Sequence, residues 1–253
     1  MRIILTFSLI LLLLSSCSKY QYLTLSSNDT GRNEKNQFIV DNDSFRIAYD
    51  FYGFNGPLQL DITNKQHQLL EIDWSRSFII KGGRPDPLFK PVGAISGELE
   101  RDGISRTALI NASIVQPSPL ELVPRGATVT KSGPVVWPVK KLVTVDRRDM
   151  KKVKMKIKGF KKKVWKAGIK DTSSLSFRVY LTLNPRSGAS PVVIDRSFYA
   201  TGLVETRVEP QEMPGRGQGN IILLHGPTRF NRMGFLIAGV VLGGAAVIAS
   251  STL

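Results

Sequence analysis

Leu58-Gln59-Leu60-Asp61-Ile62-Thr63 decides the fold class of this chain, because it alternates strictly. Leu58, Leu60 and Ile62 fall on one side of an extended backbone, and Gln59, Asp61 and Thr63 fall on the other. A helix would scatter the same residues around its axis. Downstream, Leu70, Ile72 and Trp74 repeat the pattern ahead of Phe78-Ile79-Ile80. Upstream lie Tyr20–Leu25, Phe38–Val40 and Phe45–Tyr52, rich in β-branched and aromatic residues. Gly53–Pro57 and Asn64–Gln68 read as the intervening turns. Further strands are expected at Ala108–Val115, Leu175–Leu183 and Pro191–Val208. Helical periodicity is scarce between residues 20 and 209.

Many short strands with Gly/Pro/Asn turns predict a mainly β fold, an antiparallel β-sandwich over 17–208, with an immunoglobulin-like architecture as one form. The Cys…Trp…Cys core of antibody domains is absent, since Cys17 is the only cysteine. Residues 116–138, with Pro117, Pro119, Pro124, Pro134 and Pro138, read as extended or loop structure. Residues 209–232 read as a linker, because 209–220 is rich in Gly, Pro and polar residues.

The two ends of the chain differ from this body. Arg2 precedes an apolar run from Ile3 to Leu14, too short to cross a bilayer comfortably and suited to a secretory signal peptide over 1–16. The run ends in Leu14-Ser15-Ser16-Cys17, which resembles the lipobox of bacterial lipoproteins. The resemblance implies cleavage before Cys17, a diacylglycerol on its thiol, and an acyl chain such as palmitate on the new amine. Ser18, rather than an acidic residue, follows Cys17; in enterobacterial lipoproteins that pattern resembles an outer-membrane destination. Leu58–Ile80 and Phe177–Thr206 also look like uncharacterised lipoproteins of Bacteroidetes, a likeness that implies no activity. The expected location is therefore the cell envelope, with the outer membrane favoured over the inner.

Met233–Leu253 carries no charge in 21 residues. As a helix it would reach about 31 Å, enough for a hydrocarbon core, and Gly239 and Gly243 would permit close helix packing. It is a candidate transmembrane helix, with docking on the body as the alternative. Arg229 and Arg232 flank its start, the wrong side for the positive-inside tendency if the body is exported.

Charge is concentrated in one place. Residues 140–170 hold 14 Lys/Arg against 2 Asp/Glu, net +12 of the whole chain's +15. As a strand, Val153, Met155 and Ile157 face one way and Lys152, Lys154, Lys156 and Lys158 the other. Lys161, Lys162 and Lys163 follow directly. Phe160 and Trp165 are expected to pack inward or sit at a membrane interface. Such a row attracts anionic lipid, acidic glycan or an acidic envelope protein. The alternative is an edge strand kept soluble by its lysines. Export and the lack of a recognisable motif argue against nucleic acid.

Catalytic patterns are missing. No Gly-x-Ser-x-Gly, Ser-x-x-Lys or His-Glu-x-x-His occurs. His67 and His225, each expected in a loop, make poor material for a zinc site, and no metal or cofactor is expected. Asp61 and Asp73 fall opposite the apolar faces, as solvated residues do. The residues favour a non-catalytic binding or structural role in the envelope. The rival is an envelope hydrolase or carbohydrate-active enzyme whose carboxylates, such as Asp41/Asp43 or Glu98/Glu100, meet partners only in the fold.

Overall fold

The computed structural model describes residues 18–90, 94–100, 109–115, 118–137, 142–170, 175–185 and 190–227. The expected signal peptide, Cys17 and the apolar segment 233–253 lie outside these residues. Among the described residues, no helix is long and apolar enough to cross a membrane.

The chain is mainly β. Its strands begin with β1 (Ser18–Ser26), β2 (Gly31–Arg32), β3 (Phe38–Asp41), β4 (Phe45–Asp50), β5 (Gly53–Phe54) and β6 (Pro57–Asn64). They continue with β7 (Leu70–Lys81), β8 (Arg84–Pro87), β9 (Ala94–Glu100), β10 (Leu109–Val115), β11 (Leu120–Val123) and β12 (Thr128–Val135). Last come β13 (Lys151–Ile157), β14 (Phe160–Gly168), β15 (Ser176–Pro185), β16 (Val192–Thr206) and β17 (Ile221–Pro227).

The larger sheet runs β11-β7-β15-β16-β1-β17-β5, with β8 added to β7 and the hairpin β13–β14 added to β16. The smaller runs β12-β6-β4-β3-β2, and β9 pairs with β10 separately. β16 is long enough to change partners along one side. Val192–Tyr199 pairs with β15, and Gly202–Glu205 then pairs with β14. The sheets are not wholly antiparallel as expected: Ile222 and Leu223 of β17 run parallel to Gly53 and Phe54. The adjoining turn needs Gly56, whose φ is +62° and where a Cβ would meet Val136 at 2.6 Å and Ile222 at 2.8 Å.

The alternation of Leu58, Leu60 and Ile62 is realised, and all three are fully buried. They share one core with Trp74, Val179, Leu181 and Phe198 from the larger sheet. Phe198 of β16 is the pivot. Its ring lies 5.0 Å from Phe38, 5.4 Å from Tyr49, 4.9 Å from Phe51 and 5.4 Å from Phe177, centroid to centroid. Phe38 and Tyr49 come from the smaller sheet, so this cluster joins the two layers. Phe198→Ala is expected to cost about 3–5 kcal/mol, because rigid rings from both layers cannot collapse into the void. Urea unfolding of the detergent-solubilised protein measures it.

Two expectations change: the linker at 209–232 and the solvated Asp73. The stretch read as a linker, 209–232, contains β17, which sits between β1 and β5. The stretch 116–138, read as extended or loop structure, holds β11 and β12 with loop between them. Pro134 is tolerated because β12 is an edge strand and its register with β6 shifts between Ser132 and Val135, where no ladder donor is needed. Asp73 is buried, 6% exposed, instead of solvated. It accepts from the Ser75 and Arg76 amides and the Ser75 hydroxyl, and so shapes the irregularity where β7 slips against β15.

Candidate functional site: a lysine hairpin

β13 and β14 form a two-residue hairpin. Lys158 (φ 47°) and Gly159 (φ 84°) both take positive φ, the geometry of a tight turn whose twist matches its strands. Cross-strand partners share a face, so the register sorts the lysines. Lys152 lies opposite Trp165, Lys154 opposite Lys163 and Lys156 opposite Lys161. Lys152, Lys154, Lys156, Lys161 and Lys163 therefore form one face, closed at its inner end by Trp165. Lys162 falls on the reverse face, opposite Met155, and Lys158 sits in the turn.

The reverse face holds the hairpin down. Ile157 and Val164 are fully buried against Tyr22, Val208, Met213 and Leu223. The alternation read for β13 is graded: Ile157 is buried, Met155 half-buried and Val153 37% exposed. Glu212, in a short 3₁₀ turn at Pro210–Glu212, pairs with Lys158 at 3.2 Å and Lys162 at 2.9 Å. Those hydrogen-bonded ammonium groups, Lys162 first, hold the Glu212 carboxyl below the usual carboxylate range. A lowered folded value means that the clamp is intact above the ordinary carboxylate range and is lost as pH falls through the lowered one. Glu212→Gln should therefore remove the acid dependence of amide protection around Lys158–Lys162, measured by hydrogen exchange at neutral and acid pH.

The lysine face has no such partners. Among the described residues, no carboxylate lies within ion-pair distance of Lys152, Lys154, Lys156, Lys161 or Lys163. Lys152 lies 5.6 Å and Arg147 5.0 Å from the Trp165 ring centre. Beyond Trp165 the ladder continues to Glu205 and Gln21. Glu205, 6% exposed, is compensated by Lys19 at 2.6 Å, Arg147 at 3.4 Å and the Gln21 amide at 3.1 Å. Gln21 ties in the chain that leads to the hairpin: it donates to the Val143 carbonyl (2.9 Å) and accepts from the Val143 N–H (2.7 Å). Phe160, at the turn, is 73% exposed, so it does not pack inward; Trp165 does, in part.

An open cleft of about 540 Å³ lies beside this segment, lined by Trp137, Leu142, Val145, Asp146, Asp149 and Lys170 among others. Its carboxylates are occupied. Asp149 pairs with Lys170 at 3.1 Å, and Asp146 pairs with Arg148 at 2.7 Å. The Arg148 bonds hold the Asp146 carboxyl below its ordinary range. Elsewhere, Asp41 pairs with Lys65, Asp61 accepts from Thr130, and Glu98 and Glu100 lie on β9. His67 meets Arg125 at 2.7 Å. His225 lies in β17 against Tyr20, not in a loop. Among the described residues, no group of three or more His, Cys, Asp or Glu is placed to hold a metal ion.

No family model, no curated protein and no solved structure matches this chain.

Proposed function

We propose that the chain is a cell-envelope lipoprotein, held to its membrane by lipid on Cys17, whose β-sandwich body has a non-catalytic role and contacts an anionic surface through the hairpin at 151–168. The observation that carries this reading is the five-lysine face. Lys154 opposite Lys163 and Lys156 opposite Lys161 are like-charge cross-strand pairs, which weaken a hairpin. A sheet edge could be kept soluble as well by mixed charges. Unpaired ammonium groups stacked against one another are suited to a dense anion.

Two measurements test it. The mass of the mature N-terminus should show acylated Cys17 as the first residue. The body freed of both expected anchors, residues 17–232 with Cys17→Ser, should bind anionic vesicles or an acidic glycan in low salt and lose that binding steeply as salt rises. An unmodified terminus downstream of Cys17 rejects the lipid anchor. Equal binding to neutral and anionic vesicles rejects the lysine face.

A further inference from the structure

The strand register places three features at one end of the larger sheet. β1 starts at Ser18, the residue after Cys17, and Ser18 lies opposite Pro227 at the end of β17. The entry to the sheet and the exit toward Met233 are thus side by side. The five residues 228–232 span at most about 18 Å. The hairpin points the same way. Trp165 aligns with Glu205 and, through it, with Gln21. From there β14 runs back five residues to Phe160, about 16 Å, while β1 runs back three to Ser18, about 10 Å. The turn at Lys158–Gly159 therefore projects past the start of β1.

We propose that this end is the membrane-facing pole of the molecule, and that the anionic surface met by the lysine face is the phospholipid headgroup layer of the same bilayer that holds Cys17. The proposal rests on the reading of Cys17 as lipidated and of the lysine face as an anion contact. No spacer separates Cys17 from β1, so lipid on Cys17 brings the pole to the headgroups and the projecting hairpin with it. Phe160, opposite Ile157 on the reverse face but exposed at the tip, enters the interface. On the other face Lys156 and Lys161, nearest the turn, meet the headgroups first, with Lys154 and Lys163 next and Lys152 farthest back. The apolar segment 233–253 then meets the same bilayer, and the chain is fixed in cis rather than bridging two membranes.

The acylated full chain tests this, because Cys17 is the only cysteine and its thiol is then occupied. Phe160→Cys and, at the opposite end of β16, Ser190→Cys each carry a polarity-sensitive fluorophore after reconstitution. The host vesicles are phosphatidylcholine with or without phosphatidylglycerol. The label at 160 should shift to the blue and be quenched by lipid-borne quenchers, more strongly with phosphatidylglycerol. The label at 190 should stay aqueous in both. A label at 160 as aqueous as that at 190 overturns the cis placement. Reconstituted protein in neutral vesicles is then mixed with separate phosphatidylglycerol vesicles. Clustering of the two populations, lost on replacing the five lysines with Gln, shows that the anion contact stands and only the cis placement fails. An aqueous label at 160 without clustering rejects the anion contact itself. Free, labelled Cys17 rejects the lipid anchor.

Discussion

In the anchor-free body, residues 17–232 with Cys17→Ser, replacing Lys152, Lys154, Lys156, Lys161 and Lys163 together with Gln is expected to weaken binding to anionic vesicles by on the order of 10²–10³-fold at low salt. Each lysine near an anionic lipid surface contributes about 1 kcal/mol, and screening among close neighbours reduces the sum. A second variant, Lys158→Gln with Lys162→Gln, removes two ammonium groups that share the Glu212 carboxylate, a cluster of net charge +1 lying off the lysine face, so it should lose less than about tenfold. The difference between the two variants is the informative quantity, since a charge run acting only through net charge would lose binding in proportion to lysines removed. Unfolding does not confound the result. The five-lysine variant removes the like-charge pairs 154/163 and 156/161, so its melting temperature should hold or rise. Cosedimentation across a salt series, with thermal unfolding of the same samples, makes both measurements. Unchanged binding at every salt concentration would reduce the row to a solvated edge.

The sequence made some of this legible and hid the rest for identifiable physical reasons. β6 and β15 have one face on the shared core, so their side chains alternate and a period of two is visible in Leu58–Ile62 and Phe177–Leu183. β17 is buried on both faces: Ile222 and Leu224 enter the main core, and Leu223 enters the smaller cluster under the hairpin. Its Ile-Ile-Leu-Leu run therefore has no alternation, and the Gly- and Pro-rich residues before it suggest a linker instead. The lysines of β13 could be sorted by alternation alone. Those of β14 could not, because only the turn at Lys158–Gly159 sets the register that joins Lys161 and Lys163 to the row and turns Lys162 away. Asp73 was misplaced because β7 slips against β15 beside it, where strict alternation no longer holds.

Where the chain is cut should matter as much as which anchor is removed. Cys17→Ser alone is expected to leave the protein in the membrane fraction, held by Met233–Leu253. A chain ending at Arg232 with Cys17 intact should also remain, because two acyl chains anchor stably where one is marginal. Only the double change should release a folded protein into the exported soluble fraction. The cut at Arg232 spares β17. Ending the chain at Glu209 instead would delete seven backbone partners of β1 and the buried side chains of Ile222, Leu223 and Leu224, and expose both clusters they enter. That product should fail to fold, whatever its anchor, and be lost to proteolysis. Fractionation of the four chains, with limited proteolysis of whatever is recovered, separates these outcomes. Release by Cys17→Ser alone would show that Met233–Leu253 does not hold the protein in a membrane. A stable, protease-resistant chain ending at Glu209 would show that β17 is dispensable to the larger sheet.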